Sequence, residues 1–304
     1  MYPLAVAIPA ACALRLPFSR DQWMLLMAAV NEIFLGLDIY LAHSISGTIT
    51  PREWIPIIFG PAAGIVLLLA GLIALRRRPA ATVLATTVFV LSIGVGLLGA
   101  YYHFVRAILP NAPAGERVSV DLLVWAPPLL GPLTFALVGI LGISAAWIEE
   151  PVDSGRLLLL GGRQLRMPYS KTRAYLFLVG LGTLATVISS VLDHARTGFA
   201  NPWLWIPTAA GVLGTLLSIL AAAVDRPRRG DMIVLLATFL ALMAVGAVGA
   251  GLHILENLTA QGTILGERFI RGAPFLAPML FSNMGALGLV AMLDPSEARR
   301  QRLA

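Results

Sequence analysis

The chain contains four histidines, and their placement is regular. His103 ends the stretch GVGLLGAYYH and His253 ends AVGAVGAGLH, with glycine and alanine at the same offsets in both. His43 and His194 stand about sixty residues before them, one in each half of the chain. Imidazole is a common metal ligand and the side chain that most readily changes charge near neutral pH. Two matched pairs of imidazoles point to metal chemistry. Either each pair clasps a haem iron from both sides, or all four converge on copper, iron or zinc. The single cysteine, Cys12, leaves no internal disulfide and no thiolate cluster.

Other residues could assist. Gly96, Gly99 and Ala100 precede His103 by seven, four and three residues, and Gly246, Gly249 and Ala250 precede His253 in the same way. Helical spacing puts these small residues on the histidine's face. They either leave room for a flat cofactor beside the backbone or let two helices approach closely. Glu32 and Asp38 lie inside an apolar segment, where carboxyl groups are costly and are candidates for a proton relay or a second ligand. The plainer alternative is a neutral, hydrogen-bonded group. Asp193 adjoins His194, and Glu256 follows His253 by one helical turn. Carboxylates there can orient a ligating ring.

The elements that must position these groups are membrane helices. The chain has 304 residues, of which 58% are hydrophobic and 12% charged. Its mean hydropathy is +0.83. Apolar runs near 22–43, 54–75, 81–104, 122–147, 173–193, 204–224, 231–253 and 273–293 predict eight spans and an all-α, polytopic membrane protein. Sixteen of the 22 basic residues fall at the chain ends or after the second, fourth and sixth spans. Arg52, Arg106, Arg117, Arg196, Arg268 and Arg271 fall on the other side. This split predicts a cell (inner or plasma) membrane protein with both termini cytoplasmic. It also accounts for the net charge of +6 without a nucleic-acid partner.

The halves repeat. HSISGTITPREWIP from His43 matches HARTGFANPWLWIP from His194, and APPLLGP from Ala126 matches APFLAP from Ala273. The offset stays near 151 residues for most such pairs, the mark of an internal duplication. Four spans per copy keep one orientation, so the copies are expected as two up-down four-helix bundles related by an axis along the membrane normal. The units are residues 1–147, with a short interfacial segment at the start, and 173–304, with a basic tail. Residues 148–172 form a basic linker expected on the membrane surface.

Eight spans, tandem four-helix units and a spaced histidine pair in each resemble haem A synthase in architecture. The resemblance implies a haem in one or both bundles. The histidines here end odd-numbered spans, whereas the family's lie on even-numbered ones, and Glu32 is three turns from His43 rather than beside it. The family's oxidation is therefore not carried over. The leading expectation is a haem b protein with His43/His103 and His194/His253 as axial ligands. It would act in electron transfer or haem handling near the outer leaflet, with other membrane or redox subunits as partners. The alternatives are the non-haem metal site and a transporter or scaffold subunit. No phosphate loop or hydrolase-type serine motif marks an enzyme.

Overall fold

The computed structural model describes residues 3–13, 16–45, 47, 49–112, 115, 118–225, 227–261 and 264–295. Arg15, Arg117, Arg226, Arg299, Arg300 and Arg302 lie outside the described residues. The helices are α1 (Pro3–Ala7), α2 (Arg20–Ser44), α3 (Trp54–Ala74), α4 (Arg78–Tyr102), α5 (Val120–Trp125), α6 (Leu130–Ala146), α7 (Lys171–Ala195), α8 (Trp205–Ala223), α9 (Arg229–Thr259), α10 (Leu265–Arg271) and α11 (Leu276–Ala291). Six of them, α2, α3, α4, α7, α8 and α9, are long and apolar enough to cross a membrane; α4 does so together with the π-helical turn His103–Ile108 that prolongs it. Helices α10 and α11 make a seventh crossing when this pair, bent by 58°, is counted as one. Helix α6, with 17 residues, is apolar but short. Leucines and valines such as Leu72, Val90, Leu216 and Val248 point outward along these helices. The chain is a helical, multi-pass membrane protein.

Local chemistry sets the helix ends. Ser19 caps α2 in a capping box with Gln22, and the Ser170 hydroxyl caps α7. Helix α4 starts at Arg78, with Pro79 in its first turn, where a missing N–H costs nothing. The expected spans at 122–147 and 273–293 are broken near their starts. The chain leaves helix between Trp125 and Leu130, and again between Arg271 and Leu276. Pro127, Pro128 and Pro274 fall in these gaps, and proline cannot donate to a helical ladder.

Helices α2, α3, α4 and α6 pack in a ring, each against the next, with α2 and α4 diagonal. Helices α7, α8, α9 and α11 pack in the same order. Matching glycines make close approaches in both rings. A side chain at Gly139 would meet the Phe89 backbone oxygen, and one at Gly142 the Phe89 ring. Gly285 and Gly288 stand in the same relation to Phe239. Phe89 and Phe239 are both fully buried. The rings touch through α6 against α7 and α2 against α11.

Two shorter segments flank the rings. The N-terminal stretch forms α1 and a 3-10 turn, Pro9–Ala13, and α1 packs against α9 of the other ring. The Leu4 N–H donates to the Met292 carbonyl, and Ala5, Ala7 and Ala11 are buried. Its alternating small and apolar residues suit packing as well as an interface. The linker is a small antiparallel sheet of β1 (Ile148–Glu149), β2 (Arg156–Leu158) and β3 (Gln164–Arg166). Gly155, Gly161 and Gly162 take positive φ and supply its turns.

A buried polar node joins the first helices of the two rings. Lys171 Nζ donates to Asp21 Oδ2 at 2.7 Å and to the Trp147 carbonyl. Tyr175 Oη donates to Asp21 Oδ1 at 2.9 Å. In return, Arg20 Nη1 donates to Thr172 Oγ1, whose own hydroxyl donates to Asp153. Arg20 and Lys171 are the first residues of α2 and α7, so each reaches across to the second residue of the other's helix. Glu149 of β1 accepts the N–H groups of Asp153, Gly155 and Lys171, which ties the sheet to the same node.

Asp21→Asn leaves the Lys171 ammonium buried without its counter-charge, and a change of this kind costs about 3 kcal/mol. Asp225→Asn, at the exposed Arg173–Asp225 pair, costs under about 1 kcal/mol. Unfolding of the two variants in neutral detergent measures the difference.

Candidate functional site

All four histidines lie at the end of the molecule opposite the polar node, at the C-terminal ends of α2 and α7, at the end of α4, and within the last turns of α9. Each is partly buried. In the first ring the pair comes together. The His43 and His103 ring centroids are 6.1 Å apart, with the ring planes at 74°. His43 Nδ1 lies 3.0 Å from the Ile39 carbonyl, and His103 Nδ1 lies 3.0 Å from the Pro128 carbonyl. A carbonyl only accepts, so each Nδ1 carries the proton and each Nε2 keeps the lone pair. That tautomer is the one a metal ligand needs.

The Pro128 contact has a local cause. A helical carbonyl accepts from the residue four positions on, which for Pro128 is Pro132, and proline has no N–H. The carbonyl is left without its helical donor at apolar depth, and the imidazole supplies one. Pro274 and Pro278 repeat the spacing, and His253 Nδ1 lies 3.1 Å from the Pro274 carbonyl, which there also accepts the Ala277 N–H at 3.1 Å. The segments APPLLGP and APFLAP therefore do more than mark the repeat, because each supplies the carbonyl that receives the second histidine of its pair. His103 also opens the π-helical turn His103–Ile108, a feature that often accompanies functional positions.

The second pair is arranged differently. His194 Nδ1 lies 3.3 Å from Ser190 Oγ, and its ring packs edge-on against Phe199 at 6.2 Å. Phe199 in turn stacks on Trp205 at 4.6 Å. Asp193 pairs with Arg196 at 3.6 Å. Arg196 also donates to the carbonyls of Val124 in α5 and Ala126 just after it, binding one unit to the other. Glu256 is exposed, while its neighbour Asn257 is buried and holds both the N–H and the carbonyl of Ala273. Sequence reading passed over Asn257 because a lone amide has no motif. Among the described residues, no three His, Cys, Asp or Glu side chains stand close enough together to hold a metal ion.

The glycines expected beside a cofactor face a neighbouring helix. A side chain at Gly96 would stand 2.7 Å from the Ala136 nitrogen, and one at Gly99 would stand 2.7 Å from Pro132 Cβ. Gly246 and Gly249 meet Ser282 and Pro278 in the same way. The small residues let α4 approach α6, and α9 approach α11, which is the packing use of the pattern. For a haem the fit is divided. Two metal–imidazole bonds of about 2 Å each, plus the half-widths of the rings, come to roughly 6 Å between centroids. The spacing of His43 and His103 suits that, but the flat slot along α4 is filled by Pro132 and Ala136.

Glu32 is fully buried. Ser92 Oγ lies 2.5 Å from Glu32 Oε1 and 2.9 Å from the Phe135 carbonyl. The contact joins the diagonal helices α2 and α4 through the centre of the ring. Glu32 Oε2 has no hydrogen-bond partner. At the matching places the second ring has Thr183, which donates to its own Val179 carbonyl, and Leu242. Asp38 is partly buried on α2, five residues before His43.

No protein-family model, curated protein or solved structure matches this chain.

Ser92→Ala removes the hydroxyl that touches Glu32 Oε1 and leaves a buried carboxyl unsatisfied, a loss of about 1–3 kcal/mol. Glu32→Gln keeps a group that can bond Ser92 and loses less. Thermal unfolding of the two variants in one detergent gives the order.

Proposed function

We propose that this is an integral membrane protein carrying a two-imidazole site for one transition-metal ion, with His43 and His103 as ligands through Nε2. The carrying observation is the pair itself: two rings 6.1 Å apart on diagonal helices, each with Nδ1 held by a carbonyl. Copper and zinc suit imidazole, and water or a small substrate completes the shell where the protein offers two nitrogens. The work done there is metal handling or one-electron transfer at that membrane face.

The setting we infer is eight spans in two duplicated four-helix units. Helices α5 and α6 form the fourth span, and α10 and α11 the eighth. Support comes from the same ring order in both units, the paired glycine–phenylalanine contacts, and the reciprocal reach of Arg20 and Lys171. These features fit an axis along the membrane normal. The basic connections put both termini in the cytoplasm and the histidine end outside. The second unit keeps the His253 anchor but turns His194 toward Phe199, so one ion per chain is expected.

A second reading keeps the same two ligands on a haem iron. The centroid spacing favours it, since a porphyrin brings its own four nitrogens. It requires the seam between α4 and α6 to open beside His103.

Asparagine imitates the Nδ1–H donor of histidine but has nothing at the Nε2 position, so His43→Asn and His103→Asn test ligation without removing the carbonyl contacts. Purified full-length protein loaded with copper or zinc and then freed of excess metal is expected to keep about one ion per chain. Each variant should lose it, and His253→Asn should keep it. Retention no greater in wild type than in the His43→Asn/His103→Asn double variant overturns the proposal. A Soret band in wild type that disappears in the same variants replaces the bare ion with haem.

A further inference from the structure

At the basic end of the first unit lies a cavity of about 790 Å³, between α2, α3, α4 and the end of α6. That volume falls within the roughly 300–1,000 Å³ of sites that bind small molecules. Its walls are mostly apolar, with Leu25, Ala29, Leu67, Gly71 and Ala85 among them, and Arg20 is among its polar groups. It stands at the far end of the protein from the histidines.

The second unit shows why the space exists. Thr82, Ala85 and Ala146 line the cavity. The residues at the matching places, counted from His103 against His253 and from Pro132 against Pro278, are Met232, Leu235 and Met292. These larger side chains are fully or almost fully buried in one core cluster. Ala7 of α1 joins that cluster, and Leu4 donates to the Met292 carbonyl. One unit is filled by bulky residues and by the chain's own N-terminal segment, while the other keeps small residues and an open volume.

The polar end has an unmet demand. Arg20 lines the cavity and is 2% exposed. Its Nε has no hydrogen-bond partner, and the nearest carboxylate oxygen, of Asp21, is 3.6 Å away. The acids that line the cavity with it, Asp21, Glu149 and Glu150, are engaged. Asp21 receives Lys171 and Tyr175, and Glu149 receives three backbone N–H groups. What is missing is an acceptor, and an anionic one is worth most beside a buried guanidinium. Arg78 also lines the cavity. We propose that the first unit binds an anionic amphiphile here, its hydrocarbon chain among Leu25, Leu67 and Ala85 and its carboxylate or phosphate head against Arg20.

The test uses the full-length protein in neutral detergent. Three fluorescent probes of equal chain length are titrated: a long-chain fatty acid, a single-chain phosphate monoester and the corresponding alcohol. Saturable binding of one or both acids near one per chain, about tenfold or more tighter than the alcohol, is expected. The better acid identifies the head group. Two variants fill the cavity. Ala85→Leu/Ala146→Met copies the second unit. Gly71→Leu adds a side chain where an added Cβ meets nothing within 4 Å, so it remains informative if the double variant fails to fold. Both should weaken acid binding by at least about tenfold, and His103→Asn should leave it unchanged. No saturable binding, equal affinity for acid and alcohol, or undiminished binding in Gly71→Leu overturns the proposal.

Discussion

The buried node of Arg20, Asp21, Lys171 and Thr172 fixes the geometry of everything else. Charges at the start of a membrane helix cannot be left unpaired at partial depth, so each unit's first basic residue must find its partner across the boundary. This locks the starts of α2 and α7 at one level. Each helix has 25 residues and rises about 1.5 Å per residue, so His43 and His194 arrive at a common depth. The node thereby sets the plane in which a site at the opposite end is built. It also supports the polar end of the cavity in the first unit.

A second constraint operates at the histidine end. Backbone carbonyls in an apolar medium need donors, and Pro132 removes the ordinary one of Pro128, whereas the Pro274 carbonyl keeps a turn bond from the Ala277 N–H. His103 and His253 satisfy the carbonyls of Pro128 and Pro274 through Nδ1. The same bond that repairs the helix break selects the tautomer that leaves Nε2 as a ligand. Structural repair and ligand orientation are thus one contact. The units differ in what meets that ring: His43 in the first, and in the second a His194 engaged by Ser190 and Phe199. The polar contact of Glu32 with Ser92, present in the first unit alone, and the cavity with small residues at Ala85 and Ala146 lie in the same unit.

Much of this was legible from sequence. Long apolar runs located the six long helices, because membrane burial requires unbroken hydrophobicity, although α9 continues six residues beyond its expected end. The diagonal pairing of His43 and His103 followed from their common frame and the ring order of an up-down unit. The breaks before α6 and α11 were hidden because the prolines sit in apolar segments that read as continuous. The sheet at 148–166 was missed because alternation over two or three residues is too short to signal a strand. The glycines before each histidine carried two readings, and only the position of α6 and α11 shows what fills the space beside them. Arg196, Asn257 and the carbonyl partners of the histidines depend on tertiary contacts that no local spacing encodes.

The most direct test is a histidine-selective nitrogen NMR titration of the full-length protein with zinc, which leaves the spectrum free of paramagnetic broadening. Two of the four imidazoles should respond, their Nε2 resonances shifting together and saturating at one equivalent. They should be assigned to His43 and His103 by their loss in the corresponding asparagine variants. A response from all four rings, from His194 and His253 alone, or from none would contradict a metal site confined to the first unit.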